Sequence, residues 1–144
     1  MKIKKALKEK NRLVKEIGEQ IEIAKTYNSI ETGNPRRFSA KAAIENAHSL
    51  TKELVELKAK IHRANQPVYE KIFMASELKS LVKNLKALPV EEGKITPTGY
   101  GAQIASNREV ELTATEKVLE IKRIESLIDT IQEELDTHNA TTDI

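Results

Sequence analysis

Residues 40–65 read AKAAIENAHSLTKELVELKAKIHRAN. The apolar members Ala40, Ala43, Ala47, Leu50, Leu54, Leu57, Ile61 and Ala64 follow one another at alternating steps of three and four. That spacing puts them on one narrow stripe of an α-helix, and a narrow stripe is a surface for packing against another helix. Ser39 is a suitable N-cap, and Pro67 disfavours helix at Gln66, so a helix is expected over 39–65.

Working outward, a first helix is expected over 2–27. Ile3, Leu7, Val14, Ile17, Ile21 and Ala24 share a stripe, Lys10 takes one seam position, and Leu13 and Ile23 widen the face. Segment 28–38 interrupts the pattern with the turn residues Gly33, Asn34 and Pro35. A third helix over 67–88 carries Val68, Ile72, Met74, Leu78, Leu81, Leu85 and Leu88. Its short connection at Asn65 and Gln66 implies an antiparallel neighbour or a sharp kink. Segment 89–114 is irregular, with Pro89, Gly93, Pro97, Gly99 and Gly101. Within it, 109–113 alternates polar and apolar residues and is the one strand candidate of period two.

Thr113 or Thr115 caps a last helix over 115–137, and Glu116 completes a capping box with Thr113. That helix carries Val118, Ile121, Ile124, Ile128, Ile131 and Leu135; the polar tail from Thr137 is expected to fray. The fold class that follows is mainly α. It is a single domain over 1–144 of long antiparallel helices, a four-helix, coiled-coil-like bundle. Ser29 to Thr32 is expected to pair with 109–113 as a small two-stranded cap.

Composition suits slender seams. The chain has no Trp, two Phe and three Tyr among 144 residues, so burial falls to Leu, Ile, Val and Ala. Formal net charge is +2, too small for an obvious nucleic-acid binder. The charge is uneven, however. Residues 1–15 hold seven Lys or Arg and one Glu, whereas 125–144 hold acids and no Lys or Arg. The two ends are expected to lie together and neutralise each other. Cysteine is absent, which excludes disulfides and thiolate metal sites. No apolar run approaches the ~20 residues of a membrane span, and no apolar core follows the basic N-terminus as in a secretory signal. A cytoplasmic location is therefore expected.

Chemistry-bearing patterns are few. Glu45-x-x-His48 has the spacing of di-iron carboxylate bundles, but those use two such motifs and this chain has one. The pair reads as exposed or capping. His62 and His138 are isolated from any zinc-ligand pattern. Gly99-Tyr100-Gly101 matches no phosphate-loop fingerprint and reads as a turn. Arg36 and Arg37, just before the Ser39 cap, form the most suggestive polar cluster, since a helix N-terminus with adjacent arginines favours an anion. Arg108 is expected at the same pole. The competing reading pairs these arginines with Glu91, Glu92 or Glu109.

Several stretches together resemble a known family. They are Met1-Lys2-Ile3 with Ala6-Leu7-Lys8-Glu9-Lys10 and Leu13, then Asn28-Ser29-Ile30-Glu31-Thr32-Gly33, Ile61-His62-Arg63-Ala64-Asn65, Arg108-Glu109-Val110-Glu111-Leu112, and the closing Asn139-Ala140-Thr141-Thr142-Asp143-Ile144. In order and spacing they are similar to the septicolysin-like family of small bacterial helical proteins. His62 stands where the family has Asn, and Ala140 where it has Trp. The resemblance implies a helical fold with a strand near Arg108 and carries over no catalytic residue. The family's name implies a pore-forming cytolysin, but the sequence holds no amphipathic hairpin of membrane-spanning length.

The functional expectation is a non-enzymatic, homo-oligomeric structural or interaction module without metal or cofactor. The alternative is a binding module for a small anionic ligand, nucleotide or nucleic acid, acting through the Arg36, Arg37 and Arg108 pole or the basic N-terminal helix.

Overall fold

Residues 1–95 and 106–144 are described by the computed structural model. Four helices form where apolar residues recur at helical spacing: α1 (Ile3–Tyr27), α2 (Ala40–Asn65), α3 (Tyr69–Lys86) and α4 (Ala114–Thr141). Two short strands, β1 (Gly93–Ile95) and β2 (Ser106–Arg108), pair antiparallel with Gly93 opposite Arg108 and Ile95 opposite Ser106. The chain is thus mainly α with one small two-stranded sheet.

Helix ends follow local chemistry. The Ser39 hydroxyl accepts the Ala42 N–H at 3.1 Å and opens α2. Thr113 and Glu116 form the expected reciprocal box: the Glu116 N–H donates to Thr113 Oγ1 at 3.2 Å, and the Thr113 N–H donates to Glu116 Oε1 at 3.3 Å. Between α2 and α3 the chain takes one 3-10 turn, Gln66–Val68, with helical dihedrals at Asn65, Gln66 and Tyr69. Proline in a first turn loses no hydrogen bond that the helix needs. Helix α3 is shorter than the expected 67–88, because this turn takes its start and Pro89 lies beyond its end.

Packing falls into two units where the sequence reading treats 1–144 as one domain: Met1–Tyr69 with Asp136–Ile144, and Glu70–Leu135. In the first unit, α1 and α2 pack antiparallel. Ala24 meets Ala40 and Ala43, while Ala6 and Leu13 meet Leu57 and Ile61. In the second, Val82 packs on Ile124 and Ile128, with Leu78, Leu85 and Ile121 around them. The Lys117 ammonium donates to the carbonyls of Lys86 and Leu88, at 2.8 and 2.9 Å, where α3 ends. A cation there offsets the negative end of the helix dipole.

Several expectations are corrected. The α1 seam runs through Ile3, Ala6, Leu13 and Ala24, so Leu7 is only partly buried and Val14 and Ile21 are exposed. The row through Ala6 and Leu13 is the buried one because Leu57 and Ile61 of α2 lie against it. Met74 and Leu81 on α3 are exposed, as are Leu88 just past its end and Val118 on α4. The strand pair is not the one expected: residues 29–32 form bends and a turn, and 109–113 forms no strand. Pairing β1 with β2 closes a far shorter loop than pairing 29–32 with 109–113, at a smaller entropic cost.

The tail does not fray. Helix α4 continues to Thr141, four residues past the expected end, and 142–144 docks beside α1. The Ile3 N–H donates to the Thr142 carbonyl at 3.0 Å, the Ile144 N–H donates to the Met1 carbonyl at 2.9 Å, and Ile144 packs on the Ala6–Leu13 cluster.

Candidate functional site

Arg36 is committed to structure. Its guanidinium donates to the Tyr27 carbonyl and, at 3.2 Å, to the Asn28 carbonyl. It thereby caps the C-terminus of α1, where the last carbonyls lack helical partners. The connection around it is a tight loop. Gly33 sits at φ 93° within a turn closed by the Asn34 N–H to the Glu31 carbonyl, and the Tyr27 and Phe38 rings lie 4.9 Å apart. Arg37 is exposed. Arg108 closes β2 in the second unit and lines a shallow recess of about 190 Å³ with Pro89, Glu91, Glu109 and Val110. Arg36 and Arg37 belong to the first unit.

The other sequence candidates are placed as follows. Glu45 and His48 are both exposed on α2. The His62 ring Nδ1 meets the Tyr69 hydroxyl, which also donates to the His62 carbonyl at 2.8 Å, bracing the 3-10 turn. His138 Nδ1 meets Thr142 Oγ1 at 3.1 Å. Gly99, Tyr100 and Gly101 lie outside the described residues. Among the described residues, no group of three His, Cys, Asp or Glu side chains is placed to hold a metal ion.

The basic N-terminal run is partly neutralised. Arg12 pairs with Glu9 and Glu16 along its own helix, and that guanidinium holds the Glu9 carboxyl below the usual carboxylate range, chiefly by hydrogen bonding. Lys2 pairs with Asp143 at 2.7 Å. Lys2, Lys4, Lys5 and Lys8 still line an open recess of about 270 Å³ together with Ala140.

A feature that the sequence reading did not isolate is the flank of the α1–α2 hairpin. Positions one residue after each seam residue fall on one side of a helix. In an antiparallel pair the corresponding sides of the two helices lie on the same face. Here that face carries Leu7, Val14 and Ile21 from α1 with Ile44 and Val55 from α2. Val14 is 54 % exposed, Ile21 37 %, Ile44 53 % and Val55 61 %. The signal was present as a second apolar row beside the first, but only the partner helix decides which row is core. No family model matches the chain, and no curated protein or solved structure is found to be similar to it.

Proposed function

We propose that this chain is a non-enzymatic helical protein that works as a homo-oligomeric structural or interaction module. The observation that carries this reading is how little of the chain is covered. Ile3 is the one large side chain fully buried among the described residues, while large apolar residues stand exposed on all four helices. Helices whose apolar rows outnumber the seams within one chain gain stability by packing on another chain. The septicolysin-like resemblance belongs to this proposal as a shared helical fold. No helix among the described residues is long and apolar enough to cross a membrane. Sedimentation equilibrium at micromolar concentration tests the reading: a mass above that of one chain is expected, and a monomer overturns it.

A second reading, an anion-binding module, is favoured by the recess among Lys2, Lys4, Lys5 and Lys8. Retention on heparin that falls steeply with salt would support it, because each phosphate-type contact releases counterions.

A further inference from the structure

The hairpin flank holding Val14, Ile21, Ile44 and Val55 has a one-sided charge. The ionisable positions on that face are Lys4, Lys25, Lys41 and Lys58, with His48 and His62, and one acid, Glu22, which stands at the outer edge and pairs with Lys25 at 3.1 Å. Its opposite flank carries Lys2, Lys5, Arg12, Lys60 and Arg63 against Glu9, Glu16, Glu19, Glu53 and Glu56, and is balanced. Two copies of the lysine-bearing face would therefore repel each other, and an apolar face with an acidic surround would complement it.

The α3–α4 hairpin offers such a face. The Lys71 ammonium reaches Glu134 at 2.6 Å, which fixes these two residues on one flank of that hairpin. By helical spacing the same flank carries Met74, Leu81 and Leu127, all exposed. It also carries Glu120, and Glu70 and Glu77 stand along its outer edge. Its two cations are already paired, Lys71 with Glu134 and Arg123 with Glu120, the latter at 3.1 Å from Nε to Oε2. The flank is apolar at its centre and acidic around it.

We propose that the apolar, lysine-bearing face of the α1–α2 hairpin docks on the apolar, acid-bordered face of the α3–α4 hairpin of a second copy. This rests on the self-association reading and names the surfaces that carry it. The dimensions fit. A two-helix face of α1 and α2 is about 37 Å long at 1.5 Å per residue and about 20 Å wide, or roughly 700 Å². A stable interface of standard size uses about 800 Å² per partner. Gly18 lies on the α1 side of this face with nothing within 4 Å of its Cβ position, so a partner helix can approach closely there.

Charge reversal separates this pairing from the alternatives. One variant carries Lys41→Glu and Lys58→Glu, and the other carries Glu120→Lys and Glu134→Lys. Lys41, Lys58 and Glu134 are exposed and Glu120 is half-buried, and circular dichroism checks that each variant keeps the wild-type helix content. Each variant alone is expected to self-associate about tenfold or more weakly than wild type, because like charges then meet at the contact. An equimolar mixture of the two is expected to recover association, because each reversed face then meets its complement. A wild type that is monomeric overturns both the self-association reading and this inference. A wild type that associates, with variants that associate equally well alone or with a mixture that recovers nothing, overturns the inference and leaves the reading standing.

Discussion

The Lys2 ammonium lies 2.7 Å from the Asp143 carboxylate, 141 positions further along the chain. Around this pair the first and last residues of the protein meet in a short antiparallel bridge, Lys2 opposite Asp143, and the N-terminal ammonium stands 3.6 Å from the same carboxylate. The basic start and acidic end of the sequence do lie together, but through three terminal residues. Glu125 and Glu134, further back in the acidic segment, pair instead with Lys86 and Lys71 of α3.

The first prediction concerns pH. The Lys2 ammonium, by hydrogen bond first and by charge second, holds the Asp143 carboxyl below its ordinary value. A carboxylate whose pKa is depressed in the folded state contributes stability above its unfolded pKa and loses it as pH falls through the folded value. Docking of the tail should therefore weaken as pH falls below the ordinary aspartate range, while α1 and α2 stay folded and Ile144 keeps its apolar contact. Faster amide exchange at Ile3 and Ile144, relative to Leu57, is the expected sign. Equal protection of all three through that range would count against it.

The second prediction separates the tail's two anchors. Ile144 packs on the Ala6–Leu13 cluster, whereas the Asp143 pairs are exposed. Exposed pairs contribute little, whereas burial of an Ile side chain contributes about 1.5–3 kcal/mol when complete. Ile144→Ser should lower the thermal midpoint more than Asp143→Asn. The reverse order would mean that the bridge is held by charge.

What was legible in the sequence is what local chemistry decides. Ser39, Thr113 and Glu116 signalled their caps because an N-cap needs only its own next three residues. The α2 stripe was legible because Ala40, Ala43, Ala47, Leu57 and Ile61 have no competing apolar row of comparable length. On α1 two rows compete, one through Ala6 and Leu13 and one through Leu7, Val14 and Ile21. Hydrophobicity favoured the second, but the first is the row that Leu57 and Ile61 of the partner helix cover. The tail and the strand partners were hidden for a related reason, since both depend on segments distant from the residues being read. Of the arginine cluster, the sequence placed Arg36 beside the cap of α2. Its actual acceptors, the carbonyls of Tyr27 and Asn28, lie at the end of α1, nine and eight residues back.

The third prediction follows from that assignment. Arg36→Ala should destabilise the protein by about 1 kcal/mol through lost carbonyl capping, with Arg37→Ala near neutral. Denaturant melts of the two variants decide it. Equal effects would mean that Arg36 is not acting as a cap.

The last prediction concerns the narrow α1–α2 seam. Ala43 is 3 % exposed, and it packs with Ala24 and Ala40 where the helices pass closely. Leu57 sits in the wider part of the seam with Ala6, Leu13 and Ile61. Enlarging the first site and truncating the second should both destabilise, for opposite reasons. Ala43→Leu forces extra atoms into a filled gap, a change that costs about 1–3 kcal/mol. Leu57→Ala leaves a cavity and loses burial, about 2–5 kcal/mol in a closed core, with the lower end expected at the rim of so thin a seam. Leu57→Asp should prevent folding of the hairpin, because an unpaired carboxylate would be left against apolar neighbours. By contrast Val55→Asp, two positions away on the exposed flank, should preserve helix content and melting of the single chain while weakening association. Circular dichroism melts and sedimentation of the four variants test the set together. If Val55→Asp unfolded the protein as Leu57→Asp does, the division of α2 into a buried seam and an exposed docking flank would be wrong.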